Sequence, residues 1–225
     1  LEHYTLLEFL PAVTYSQKHA ADQGNLVLNE RRGELSLTAK YGVTSNLILD
    51  GAYNPDFSQV EADAGQVDVN LRFGLFFTEK RPFFLEGSEM FNLAASGSLA
   101  SDPLLAVVHT RTIVNPQVGF KLTGKVGANS TLASIYAIDE LPQEDPLRTG
   151  TRAHFPIFRY KHALSEDSYL GAVYAGRELR SSFNRVAGSD GLLRVTDSGT
   201  FEYSALFSQT KTTDASPTLG GYALT

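Results

Sequence analysis

The chain has no cysteine among its 225 residues. That excludes a disulfide scaffold, a thiolate zinc site and a cysteine nucleophile. Long apolar runs are missing too: nothing approaches the ~20 consecutive apolar residues that a transmembrane helix requires. There is no basic excess. Lys and Arg number 19 against 25 Asp and Glu, for a formal net charge of −6, so no nucleic-acid partner is expected, because phosphate binding needs a basic face. Capped stretches of helical period are scarce. No cleavable signal sequence is visible, and Leu1–Thr5 reads as an interior start. A hydrophobic content of 42% with 20% charged residues is too apolar for intrinsic disorder.

What the sequence has is alternation of period two, the mark of a strand with two unlike faces. Leu35, Leu37, Ala39 and Tyr41 fall on one face, and Ser36, Thr38 and Lys40 on the other. The scheme recurs with Leu47, Leu49, Gly51 and Tyr53. It recurs with Val118, Phe120, Leu122 and Val126 against Lys121, Thr123 and Lys125, and with Phe158, Tyr160 and Leu164 against Arg159 and Lys161. Phe201, Tyr203, Ala205 and Phe207 oppose Glu202, Ser204 and Ser208, with Leu206 breaking the polar row. The spacing predicts an all-β fold of about ten to twelve antiparallel strands, each about ten residues long.

Two architectures fit: a soluble sandwich or barrel with an apolar inside, and a membrane barrel that is apolar outside and polar within. Strand length favours the second, because globular strands average about five or six residues and an oblique bilayer crossing takes about ten. Tyr4, Tyr41, Tyr53, Tyr169 and Phe183 stand near strand ends, as interfacial girdles do. Connections alternate in length. Short turns are expected at Val43–Asn46, Gly127–Ser130, Ser165–Ser168 and Asp197–Gly199. Longer polar connections are expected at Lys18–Gly33, Asn54–Gln66, Leu141–Gly150, Ser181–Ser189 and Lys211–Leu219, with a tight turn at Asn115-Pro116. In this reading Phe120, Tyr160 and Phe207 face lipid. The chain ends at Gly220–Thr225 inside an expected strand, so it is read as the N-terminal part (1–225) of a larger transmembrane β-barrel.

One segment departs from the rhythm. Phe76-Phe77-Thr78-Glu79-Lys80-Arg81-Pro82-Phe83-Phe84-Leu85-Glu86-Gly87 crowds aromatics and charges around a proline, which blocks a central strand. Aromatics this dense are costly in a solvated loop. Residues 78–103 therefore read as a plug or constriction folded against the lumen, with an ordinary anchored hairpin loop as the alternative.

That segment, with Asn54-Pro55-Asp56-Phe57-Ser58-Gln59-Val60-Glu61-Ala62-Asp63 before it, resembles the signature of a bacterial family of unknown function. Lys40–Asp50 is similar to the family's hairpin, and Gly188-Ser189-Asp190-Gly191 to a weaker glycine-aspartate motif. The resemblance is taken to run through most of the chain from about Tyr4. It implies an outer-membrane barrel whose relatives carry an N-terminal module resembling family-nine carbohydrate-binding domains, a module this chain lacks. Thr78 stands where the family's pattern has proline.

Candidate chemistry is sparse. Glu61 and Asp63 share a strand face, a pattern that serves acid/base work or calcium binding but more often marks a solvated acidic loop. Glu79 and Glu86 flank the aromatic motif in the manner of a glycosidase pair, with pairing to Lys80 and Arg81 as the simpler reading. Lys121, Lys125, Arg159 and Lys161 fall on inward faces, where they line a lumen that attracts anions or balance lumenal carboxylates. The five histidines have no paired metal-ligand spacing, and no metal or cofactor is implied. The expected localisation is the bacterial outer membrane. The expected partners are its bilayer and a glycan or protein ligand, and the expected role is a channel, docking or anchoring barrel. The alternatives are a polysaccharide-acting enzyme using the motif's carboxylates and a structural subunit of an outer-membrane assembly.

Overall fold

The structure, a computed structural model, describes residues 6–22, 25–55, 79–93, 107–140, 151–180, 182–213 and 215–225. Among these residues ten strands form one antiparallel sheet in which every strand pairs with its sequence neighbours. They are β1 (Leu7–Asp22), β2 (Asn25–Thr44), β3 (Leu47–Tyr53), β4 (Pro116–Val126), β5 (Ser130–Glu140), β6 (Arg152–Ser165), β7 (Ser168–Leu179), β8 (Ser182–Arg194), β9 (Thr200–Lys211) and β10 (Leu219–Leu224). Among the described residues helix is confined to α1 (Pro82–Leu85) and two 3₁₀ turns, Ser88–Phe91 and Thr110–Thr112. None of these is long and apolar enough to cross a membrane. The sheet is not closed, since β1 pairs only with β2 and β10 only with β9.

Register divides the residues as the alternation predicts. Lys40, Asp50, Lys121, Ile135 and Ile157 are cross-strand neighbours on one face. Tyr41, Leu49, Leu122 and Ser134 share the other. Residues 79–93 and 107–115 lie across the first face as a strap. Its Phe83, Phe84, Phe91 and Ile113 pack with Ala52, Ala133, Ile135, Ala137, Phe155 and Ile157. A proline at the first helical position fits α1, because that N–H has no intrahelical partner, and Gly87 ends the turn with φ 74°. The opposite face is left open. Phe120 and Phe207 are each 51% exposed and Val13 78%, and Tyr160 is half-buried.

The connections keep two unlike rims. The turns after β2, β4, β6 and β8 are short, and we call that end the turn rim. The other end carries the long β3–β4 connection, residues 54–115, which contains the strap, as well as the β5–β6 and β9–β10 connections. Three expectations are corrected here. Lys18–Gly33 is not a loop: β1 and β2 continue as a ladder to Asp22 and Asn25, with alternation enough to extend pairing through polar residues. Ser181–Ser189 is largely strand, since β7 and β8 pair from Leu179↔Ser182 onward, and Arg180 makes the tight turn with φ 41°. Asn115-Pro116 is no hairpin turn. Pro116 opens β4, and Asn54 N–H bonds Gln117 O at 2.7 Å where the strap connection leaves and rejoins the sheet. Most of Asn54–Gln66 and all of Leu141–Gly150 lie outside the described residues, as do Tyr4, Glu61, Asp63 and 94–103 of the expected plug.

Gly124 tests the sheet's local geometry. Its φ is +143°, and a Cβ there would stand 1.9 Å from Asn46 O, a backbone atom that cannot rotate away. Gly124→Ala is expected to lower the unfolding free energy by about 1–3 kcal/mol or more, read from the denaturation midpoint. An unchanged midpoint would contradict this β3–β4 geometry.

Candidate functional site

Charged side chains on the strap face gather into three clusters, each tying the strap to a different part of the sheet or to itself. The first is a clasp within the strap. Glu79 Oε1 accepts hydrogen bonds from Arg81 Nε at 2.8 Å and Arg81 N at 2.9 Å. Glu79 Oε2 accepts from Arg81 Nη2 at 2.8 Å and from the Thr110 hydroxyl at 2.6 Å. Arg81 then donates to Ile113 O at 2.5 Å and Thr110 O at 2.8 Å, and its guanidinium lies 4.3 Å from the Phe84 ring centroid. Burial by itself would raise the Glu79 carboxyl. The Arg81 and Thr110 hydrogen bonds, with the Arg81 charge, outweigh it and hold the carboxyl below its ordinary range.

The second cluster holds α1 against β2, β3 and β4. Lys121, 1% exposed, donates from Nζ to Phe83 O at 2.8 Å and Glu86 O at 2.9 Å, and stands 3.5 Å from Asp50 Oδ2. These carbonyls are orphans of the end of α1, where a cation is favourable. Lys40 Nζ lies 2.6 Å from Glu86 Oε1 and 3.7 Å from Asp50 Oδ1. The Lys40 hydrogen bond, more than the opposing effect of burial, draws the Glu86 carboxyl below its usual range. Gly119 makes room for this contact, since a Cβ there would meet the Phe83 ring at 2.9 Å.

The third cluster is a fork across β6 and β8. Arg159 Nη1 and Nη2 bond the two oxygens of Asp190 at 2.5 and 2.7 Å, with the residues 1% and 0% exposed. Arg159 Nη2 also reaches Asn92 O of the strap at 3.2 Å, and Tyr169 donates to Asp190 at 3.4 Å. A Cβ on Gly171 would come within 2.5 Å of both Arg159 Nη1 and Asp190 Oδ1. Away from these clusters, Asp139 accepts the strap's Val114 and Asn115 N–H groups at 3.1 and 2.5 Å.

The eight residues expected to carry function thus do not form one site. Glu79 and Arg81 belong to the clasp, Glu86 and Lys121 to the α1 cluster, and Arg159 to the fork. Lys161 stands 5.6 Å from the Tyr169 ring centroid. Lys80 and Lys125 are exposed. Asp50, Asp139, Asp190 and Lys40 complete the arrangement, although the sequence reading did not single them out as site residues. For Asp190 the signal was the flanking Gly188 and Gly191. For Asp50 and Lys40 it was their place on the polar rows. No group of three metal-ligating side chains occurs among the described residues.

The family described as "Domain of unknown function (DUF5916)" matches residues 4–96. The match spans β1 to the strap and stops short of β4, so it reaches less far than the resemblance read from the motifs. No curated protein and no solved structure matches the chain.

Two outcomes test this geometry. Arg159→Met strands a buried carboxylate and is expected to cost about 3–5 kcal/mol, whereas Arg159→Met with Asp190→Leu should recover much of that loss. Chemical denaturation of both variants reads the difference, and equal losses would remove the fork from the account. For Glu79 the folded carboxyl titrates below the unfolded one, so its contribution is complete above the unfolded pKa of ~4.3. That contribution disappears as pH falls through the depressed folded value. Hydrogen exchange at the Phe84 and Leu85 amides, which bond Arg81 O, should accelerate below that range in the parent chain. The step should be missing in Glu79→Gln and present in Glu86→Gln.

Proposed function

We propose that the chain forms part of the wall of a bacterial outer-membrane β-barrel, with the strap lying in the lumen as a constriction. The observation that carries this reading is the division of charge between the two faces. Across the middle of the open face, from Tyr41, Leu49, Leu122, Leu132 and Tyr160 to Leu170, Tyr203 and Tyr222, no strand residue is charged, and the charged strand residues of that face stand near its long-loop rim. The buried charges among the described residues all lie on the face with the strap. A soluble sheet reverses this, since it pairs its apolar rows and wets its charges.

The dimensions support the same reading. β4 to β9 run 11 to 14 residues, and a tilted bilayer crossing needs about 9–11. Polar-tipped aromatic pairs bracket the band. Tyr136 OH meets His154 Nδ1 at 2.7 Å near the long-loop rim, and Tyr160 OH meets Ser130 Oγ at 2.9 Å near the turn rim, with His162 Nδ1 3.0 Å from that Oγ. From His154 to His162 the strand rises about 26 Å at ~3.3 Å per residue. Tilted by ~40° that is ~20 Å, close to the apolar height of about 25 Å in such barrels. Ser134, a polar residue inside the band, turns its hydroxyl onto Ile157 O at 3.2 Å, as lipid exposure demands. The unpaired edges of β1 and β10 require further strands, because an open edge is not tolerated in hydrocarbon.

Within this reading the protein is a constricted conduit or docking barrel whose strap must shift for a ligand to pass. An enzyme built on Glu79 and Glu86 is less well supported. A general acid needs a raised carboxyl pKa, and cation-bound Glu79 and Glu86 are pushed the other way.

The full-length protein is expected to insert into detergent micelles and vesicles and to migrate on gels in a heat-modifiable way. In planar bilayers its conductance should be low, and should rise when Arg81→Ala or Lys40→Gln releases the strap. A full-length protein that remains in the aqueous phase would remove the barrel reading. Unchanged conductance in folded variants would remove the constriction.

A further inference from the structure

Among the described strand residues, charge on the open face is confined to one end. The strand residues there that carry charge are Arg31, Glu140, Arg152, Glu178, Arg185 and Lys211, and register places all six near the rim of the β3–β4 and β5–β6 connections. Towards the turn rim the same face ends in Val43, Val126, Leu164, Leu193 and Phe201. The charged arc is net basic: four cations against two carboxylates. Arg152 is exposed, as is much of Arg185, whose side chain is 42% exposed even while bound to Glu178 at 2.5 Å. Arg185 also lies over the Phe183 ring, 4.1 Å from its centroid, so the guanidinium is held at the border of the apolar band.

We propose that this arc binds the phosphate-bearing headgroups of anionic lipids in the leaflet at the long-loop rim. The inference rests on the barrel reading and deepens it. Side chains on the open face meet whatever surrounds the apolar band, and the rows continuous with it are lipid-facing in that reading. Basic residues immediately outside such a band sit at headgroup depth, where they attract anionic lipid. A guanidinium suits phosphate because its planar fork donates two parallel hydrogen bonds. The lack of charged strand residues on this face near the turn rim makes the preference one-sided, so the same arc also fixes which rim meets the more anionic leaflet.

The test uses the full-length protein in phosphatidylcholine vesicles containing spin-labelled phosphatidylglycerol or spin-labelled phosphatidylcholine. The motionally restricted fraction should be about twofold or more larger for the anionic lipid. The ratio should fall toward one in ~1 M salt, which screens exposed charge, and in the triple variant Arg152→Gln, Arg185→Gln, Lys211→Gln. Heat-modifiable migration checks that this variant is folded, and the salt arm needs no variant. Free inorganic phosphate at millimolar concentration should leave the ratio unchanged, and displacement by it would assign the arc to soluble anions. Equal restriction of both lipids in the native protein overturns the headgroup site while leaving the barrel intact. No restricted fraction for either lipid overturns both.

Discussion

A lysine ammonium shut away from water must have all three of its protons accepted. Lys121 meets that demand with Phe83 O, Glu86 O and the Asp50 carboxylate. Each acceptor fixes something larger. The two carbonyls belong to the end of α1, so the strap's helix cannot leave without stranding a buried cation. Asp50 lies on β3, and the same carboxylate attracts Lys40 of β2. One nitrogen on β4 thereby sets where the strap sits, which residues of β2 and β3 face it, and which way Phe83 and Phe84 point. The two rings meet edge to face at 5.0 Å and 87°, and they fill the space that Gly119 leaves.

The same demand explains why the strap face is mixed in character. Its centre is apolar, with Ile113, Ile135, Ala137 and Ala153 at 0–1% exposure. Around that centre stand the clasp, the α1 cluster and the Arg159–Asp190 fork, whose bonds run to protein groups, although Arg159 Nε is buried without a hydrogen-bond partner. Buried ion pairs seldom add net stability, because desolvation consumes most of the Coulombic gain. Their contribution here is specificity. An apolar strap could slide along an apolar wall, whereas a strap bonded through Glu86, Asn92 O and Phe83 O has one position.

Much of the sheet was legible in the sequence because a period of two leaves little choice. Once Phe120 and Lys121 alternate, their faces follow. The short turns at Val43–Asn46, Gly127–Ser130 and Ser165–Ser168 emerged for the same reason. The misread connections were polar stretches. Lys18–Gly33 and Ser181–Ser189 hold only short apolar groups, such as Leu26-Val27-Leu28 and Phe183 with Val186-Ala187, among polar and turn-forming residues, yet backbone pairing extends through them because ladder hydrogen bonds do not depend on side-chain polarity. The strap was visible as an anomaly, an aromatic-rich stretch with a proline, but its partners were not. Asp190 is far from Arg159 in sequence, and Asp50 from Lys121. A single sequence records each charge without recording which opposite charge the register brings across from it.

The separation of charge by face has a consequence for how such a chain can fold. Taken alone, the open face is an apolar sheet surface with Tyr222 85% exposed and Leu224 75% exposed beside a free β10 edge, the combination that invites edge-to-edge association in water. The strap face has the opposite problem, since Arg159, Lys121 and Arg81 cannot be buried until Asp190, Asp50 and Glu79 are in register with them. The ion pairs therefore make the order of assembly matter. The β6–β7–β8 ladder must form before the fork can close, and Arg159 must be in place on β6 before Asn92 O of the strap has its donor. Because no described strap residue belongs to a strand of the sheet, the strap can be displaced without unpairing the ladders of the wall. That separation of wall from strap is the property a constriction needs if it is to move.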